Sequence, residues 1–232
     1  MPFGALEKTI VLDLSNRLAS SFCAKTLGLY GCEVIKVEPP GGDPLRWGTT
    51  GDKDNHNNIS PLFIHLNAGK KSITLDVDTT QGQKILADLM LVSDVVIENQ
   101  KPGSLDKIGL SYNQIKESNP SIIFTSVTPY GQTGPYKDFE YDELTLFAMT
   151  GAMNREGLPD REPLRYAGEI AQYFAGNAAA AATTAALFKR TLTGQGDWLD
   201  ISIQECMVGH PHQIGRRAPY IYAGEPDLRS QP

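Results

Sequence analysis

The stretch from Thr9 to Pro40 constrains the fold of this chain more than any other. It reads "TIVLDLS", then "SSFCAKTLGLYG", then "CEVIKVEPP". The outer runs are short, apolar and rich in β-branched residues, as strands buried on both faces are. Between them, Phe22, Leu27 and Leu29 give a helical stretch that Gly31 stops. Two such strands around one helix predict a parallel pair, because parallel strands need a crossover connection.

The alternation continues. "KSITLDV", "DVVIEN" and "SIIFTSVT" predict further strands. "TTQGQKILADLMLVS" predicts an amphipathic helix with Ile85, Leu89 and Val92 at helical spacing. A turn at Pro102-Gly103 precedes short helices over "SLDKIGL" and "SYNQIKESN". Residues 142–153 are expected to be helical, and a polar link leads to an alanine-rich helix, "YAGEIAQYFAGNAAAAATTAALFKR". "GDWLDISIQECM" closes the pattern with a strand and the start of a helix, and "RRAPYIYAGEPDLRSQP" shows no clear period. The expected fold is α/β: a Rossmann-like, doubly wound, mostly parallel sheet with flanking helices. Ligands of such folds sit beyond the carboxyl ends of the strands. Those ends are Ser15-Asn16-Arg17, Glu38-Pro39, Glu98-Asn99-Gln100 and Thr128-Pro129-Tyr130.

Composition removes several function classes. A net charge of −6 argues against a general nucleic-acid binder. No run approaches the roughly 18 apolar residues of a membrane span. Met1 to Thr9 lacks the pattern of a signal peptide. Three cysteines, Cys23, Cys32 and Cys206, form no CxxC pair and suit a reducing cytoplasm as buried thiols. His56, His65, His210 and His212 have no carboxylate or cysteine at metal spacing, so no metal is expected. There is no GxGxxG after the first strand, no GxxxxGK[ST] loop and no GxSxG elbow, so no dinucleotide cofactor is expected. Arg46, Lys70-Lys71, Lys101 and Lys107 fall near the predicted strand ends. Cations placed there would suit a ligand with several phosphates, and ordinary solvated side chains account for the same spacing.

Four blocks, "VLDLSNRLASSFCAKTLGLYGCEVIKVEPPGGDPLR", "HLNAGKKSITLDVDTTQGQKIL", "DVVIENQKPGSLDKIGLSYNQIKESNPSIIFTSVTPYGQTGPY" and "LFKRTLTGQGDWLDISIQE", together resemble the class III coenzyme A transferases. That group includes formyl-CoA transferase, carnitine CoA-transferase and the α-methylacyl-CoA racemases. The resemblance implies a Rossmann-like large domain over residues 1–205, which binds coenzyme A as a substrate rather than as a resident cofactor. It implies an interlocked homodimer with a small domain; residues 206–232 would begin the linker toward that domain, which the chain does not reach. By position, Leu18, Ala19, Lys70, Lys71, Asn99, Gln100 and Lys107 would lie on the CoA side, with Tyr130 and Gly131 lining the acyl side. The implied partners are an acyl-CoA and a carboxylic acid.

In the transferases of this group, an aspartate opens the alanine-rich helix. It attacks the thioester and passes through a mixed anhydride and an enzyme–CoA thioester. A carboxylate suits this chemistry because it must attack and then leave, and a helix N-terminus favours the anion. Aligned on its glycine, "EIAQYFAG" places Gln172 at that position. A neutral amide is a poor nucleophile. Glu169, three residues earlier on the same face, is the possible substitute. Three readings stay open: a site that binds CoA esters with impaired chemistry, chemistry through Glu169, or chemistry not visible in the sequence. The racemase branch uses a histidine at the position of Tyr141, followed here by Asp142, so two-base isomerisation is the weakest alternative.

Overall fold

A computed structural model describes residues 4–47, 59–209 and 218–225. His56, His210, His212 and most of the polar loop after Trp47 lie outside the described residues. In chain order the elements are β1 Ile10–Asp13, α1 Leu18–Leu29, β2 Glu33–Glu38, α2 Pro61–Asn67, β3 Lys71–Thr74, α3 Thr80–Leu91 and β4 Val95–Glu98. They continue with α4 Ser104–Lys107, α5 Tyr112–Ser118, β5 Ile123–Thr128, α6 Glu143–Met149, α7 Ile170–Thr193, β6 Asp197–Ser202, α8 Ile203–Val208 and α9 Ala218–Ala223. The six strands form one sheet in the order β3-β2-β1-β4-β5-β6, and every neighbouring pair is parallel. The order reverses between β1 and β4, which makes that crevice the topological switch point.

Alternating residues of the central strands feed two cores. Leu12, Val96, Ile122 and Phe124 pack with Leu86 and Met90 of α3 and Ile115 of α5 on one face. Val11, Val95, Ile97, Ile123 and Val127 pack with α1, α6 and α7 on the other. Strands β4 and β5 are buried along their whole length; β4 is an apolar run closed by Glu98, whereas β5 carries Thr125, Ser126 and Thr128 among its buried residues.

Three expectations change. The buried stripe of α3 is Gly82, Leu86 and Met90, while Ile85 and Val92 are exposed. Thr79 fixes this rotation: its hydroxyl accepts the Gly82 N–H at 3.0 Å, and a Cβ on Gly82 would strike the Asp76 carbonyl. Secondly, "PLFIHLN" forms the short helix α2, and the aperiodic tail contains α9. Thirdly, α7 starts at Ile170, so Glu169 is its N-cap residue rather than part of its first turn.

The alanine run of α7 earns its place by close packing. Ala171, Ala175, Gly176, Ala179 and Ala180 turn one face toward the core. At Gly176 the helix meets α1: a Cβ there would lie 2.6 Å from the Ala19 carbonyl oxygen and 3.0 Å from the Phe22 ring. One polar pair interrupts the alanine contact. The Thr183 hydroxyl donates to the Ala179 carbonyl at 2.7 Å and accepts from Thr125 at 2.8 Å, so neither group is buried unpaired.

Under the carboxyl ends of β1 and β2 lies a buried ionic network. Lys36, only 1% exposed, reaches Asp43 at 2.6 Å and the Ser15 carbonyl at 2.7 Å. Lys70 pairs with Asp13 at 2.7 Å and donates to the Ser21 carbonyl at 3.1 Å. Asp13 also accepts from the backbone N–H and hydroxyl of Ser15. Burial alone would raise the Asp13 pKa, but Lys70 and Lys36 outweigh it and hold the carboxyl below its ordinary range.

Two substitutions test this packing. Gly176→Ala is expected to destabilise the chain by about 1–3 kcal/mol through overpacking against α1, despite the better helix propensity of alanine. Asp13→Asn removes the charge that compensates two buried lysines and is expected to cost about 3–5 kcal/mol. Urea denaturation at neutral pH measures both, and wild-type midpoints in either variant would contradict the account.

Candidate functional site

Two cavities open beyond the carboxyl ends of the strands, one on each side of the switch point. The larger, of about 330 Å³, lies over β1, β2 and β3. Its walls are mainly apolar, with Val37, Pro39, Leu75, Val77, Leu105 and Ile108 facing inward. The smaller, of about 200 Å³, lies over β4 and β5 and includes Arg17, Ala19, Asn99, Thr128 and Tyr141. Gln100 lines both. The Thr128 hydroxyl is buried and finds no partner among the described residues.

The start of α1 stands between them. Its N-cap residue, Arg17, makes no side-chain cap bond, and its first turn carries no acidic residue. The amides of Leu18, Ala19 and Ser20 therefore sit at an uncapped positive helix end, the usual place for a phosphate. An amide clasp fixes the loop before it. Asn16 donates its backbone N–H to Asn99 Oδ1 at 2.9 Å, and Asn99 Nδ2 donates to Asn16 Oδ1 at 2.8 Å. Gln100 Nε2 adds a longer bond of 3.4 Å to the Leu14 carbonyl.

The basic residues picked out by sequence do not form an open cationic patch. Arg46 holds Glu38 through two bonds of 2.6 and 2.7 Å, and Lys101 pairs with Glu140. Lys70 is spent inside the ionic network. Lys71 pairs with Glu33, the first residue of β2, toward the amino end of the sheet. Lys107 is exposed at the end of α4. Strand-end position was legible in the sequence, but the carboxylates that come to meet these cations depend on strand order. Tyr130 is buried in an edge-to-face cluster with Tyr136 and Phe139. Gly131 adopts a left-handed φ of 83° beside Asp200, whose carboxylate accepts the next N–H, that of Gln132. Leu18 is buried at the start of α1.

Tyr141 connects the smaller cavity to the start of α7. Its ring carries the Arg17 guanidinium 5.9 Å from the centroid, and it senses the charges of Glu169 and Glu143. Burial is the main cause of its raised pKa. At the helix start, Gln172 Nε2 donates to Glu169 Oε2 at 2.7 Å, so the three-residue spacing does bring the two side chains together. Sequence reasoning missed a third member. Glu143, the first residue of α6, accepts the Ala171 backbone N–H at 2.6 Å. The capping box of Asp142 and Thr145 could have fixed where α6 begins, but not which helix its first side chain would meet.

With this geometry in place, comparison with known proteins is decisive. Residues 6–213 match the model for CoA-transferase family III. The chain belongs to that family. It is 39% identical over 202 residues to the succinyl-CoA–D-citramalate CoA-transferase of Chloroflexus aurantiacus, covering 86% of this chain and 49% of that one. It is 34% identical to the succinate–glutarate CoA-transferase of Agrobacterium fabrum, covering 94% of this chain and 55% of that one. A crystal structure of a CAIB/BAIF family protein from Brucella suis superposes with a TM-score of 0.90 at 35% identity, covering 98% of this chain and 60% of that one. The chain thus spans about half the length of the curated relatives it matches. The family fold and the all-parallel sheet agree.

One further buried carboxyl lies outside the two cavities, at the end of β4. Glu98 ends β4 at 3% exposure, and burial pushes its pKa up to about 7. Bonds from Ser126 and the Gln100 N–H resist the shift, and Asp200 adds to it. A carboxyl raised above its unfolded value lends stability below that value and loses it as pH rises through the folded one. Glu98→Gln is therefore expected to gain stability relative to wild type between pH 5 and 8, by up to about 3 kcal/mol. Thermal or urea melts across that range measure it, and parallel pH curves for the two proteins would contradict it.

Proposed function

We propose that this chain takes part in moving coenzyme A between an acyl-CoA thioester and a carboxylic acid. The observation that carries the reading is the meeting of two features at one crevice. An uncapped helix start lies at the switch point, and a second helix start bearing Glu169 and Gln172 adjoins the smaller cavity through Tyr141. The mainly apolar larger cavity suits the adenine ring, and the amides of Leu18 and Ala19 suit the diphosphate. The smaller cavity would then receive the thioester end. In this reading Asn99 and Gln100 are positioning residues on the bridge between the cavities. Relatives named for succinyl-CoA make a dicarboxylic acyl group the first donor to try. The homodimer and the cytoplasmic setting belong to the same proposal.

A second reading has one observation in its favour. Gln172 spends its amide on Glu169 and supplies no attacking carboxylate of its own. If Glu169 is only a partner for that amide, the chain binds CoA esters without transferring CoA.

Incubation with succinyl-CoA, trapping with hydroxylamine or borohydride and peptide mass mapping separates the two. The transfer reading expects the adduct on Glu169. CoA binding with no adduct on any carboxylate would favour the binding-only chain. Arg17→Glu places a negative charge at the open start of α1. It is expected to weaken CoA binding at least about tenfold by calorimetry, and unchanged affinity would remove the diphosphate from that helix.

A further inference from the structure

Glu143 is a buried acid that the reading above leaves without a task. It is 5% exposed. Its Oε1 accepts the Ala171 N–H. Its Oε2 is buried and meets no donor among the described residues. The Ala171 N–H brings Glu143 to the start of α7, beside the carboxyl of Glu169, which Gln172 anchors from the other side and whose charge adds to burial in raising the Glu143 pKa. Two carboxylates so placed repel strongly, and one shared proton converts the repulsion into a short O–H···O⁻ bond. The N–H from Ala171 claims a lone pair on Oε1, so the proton falls to Oε2 of Glu143, the oxygen without another donor. Glu169 is left as the anion, held by the Glu143 hydroxyl and the Gln172 amide.

We propose that Glu143 is a positioning residue whose carboxylic acid proton holds the Glu169 carboxylate beside Gln172, ready to attack an acyl-CoA thioester, and that loss of this proton disables the site. The inference rests on the transfer reading with Glu169 as nucleophile. In the step itself a Glu169 oxygen bonds to the acyl carbon and the carbon–sulfur bond breaks. The bonding pair leaves with sulfur as CoA thiolate, and a mixed anhydride remains on Glu169. No electrons change hands otherwise, and the proton stays on Glu143.

The chemistry fixes a pH window. Burial first, and Glu169 second, push the Glu143 pKa up to about 7 against the opposing Ala171 N–H and Arg165. The other charged or titratable groups around the pair are Arg165 before α7, Tyr173 on α7, Glu140 and Tyr141 before α6, and Arg17 at α1. Burial shifts both tyrosines further above their ordinary range, away from the window. Above about pH 7 Glu143 loses the shared proton, repulsion separates the two side chains, and Glu169 leaves the position that Gln172 marks.

The test follows the Glu169 adduct with succinyl-CoA and hydroxylamine from pH 5.5 to 8.5, counted by mass spectrometry. Wild-type yield is expected to fall at least about tenfold as pH rises past 7. Glu143→Gln keeps an oxygen for the Ala171 N–H and offers Glu169 an N–H that does not titrate, so its profile is expected to be flat on the alkaline side. Glu143→Ala is expected to be low throughout. A merely structural role would not erase the alkaline limb. A limb that persists in Glu143→Gln, or is missing from wild type, overturns the pair. Absence of any Glu169 adduct at all pH values, despite measured acyl-CoA binding, overturns the nucleophile reading beneath it. A readout that leaves Glu143 intact guards against misfolding: in the Glu98→Gln chain, the infrared band of a protonated carboxyl should be present at pH 6 and fade through about pH 7. No such band at pH 6 would also overturn the pair.

Discussion

Everything at the carboxyl edge of this sheet depends on charge buried beneath it. Asp13, Lys36, Lys70 and Asp43 tie the ends of β1 and β2 to the turn before β3 and to the loop after β2. Glu38 extends the arrangement by taking Arg46, Ser72 and the Asp43 N–H. Buried ions cost desolvation energy and pay off only when every charge has partners in fixed positions. Here the partners come from β1, β2, the stretch before β3 and a 3₁₀ turn, so the loops that border the larger cavity have little freedom. The strand-end cations Arg46, Lys70 and Lys101 are held in ion pairs within the protein.

The sheet was legible because the strands are short, rich in β-branched residues and separated by helical stretches. Those signals are local. The strand ends named from sequence are where the cavities open, whereas the switch point between β1 and β4 came only with the strand order of the folded sheet. What was not legible depends on rotation and on contacts distant in the chain. The stripe of α3 was misassigned because Ile85, Leu89 and Val92 satisfy helical spacing as well as Leu86 and Met90 do; the Thr79 cap and Gly82 against Asp76 decide between them. The ion pairs of Lys70 and Lys101 span 57 and 39 residues. No window of sequence contains both partners.

Helix α7 shows how one sequence trait serves packing and site together. Its small residues let it lie against α1, with Gly176 over the Ala19 carbonyl. That proximity brings the start of α7 beside the start of α1, so two positive helix ends converge on neighbouring parts of one crevice. Gln172 is the residue that the family resemblance aligns with the aspartate, and acidic side chains gather at the same helix start. Glu169 stands at the N-cap position and takes the Gln172 amide, and Glu143 crosses from α6 to accept the Ala171 N–H. The legible part was the Glu169–Gln172 neighbourhood, which follows from helical geometry. Glu143 required the packing of α6 on α7.

The amide clasp between Asn16 and Asn99 has a consequence for what can lie across this surface. It closes the crevice with two neutral side chains, and Gln100 forms a low sill shared by both chambers. A molecule occupying both chambers has to step over that sill, so it needs a slender, bendable waist between bulkier ends. Discrimination would then act on the girth and suppleness of a ligand's midsection, quite apart from the chemistry of its termini.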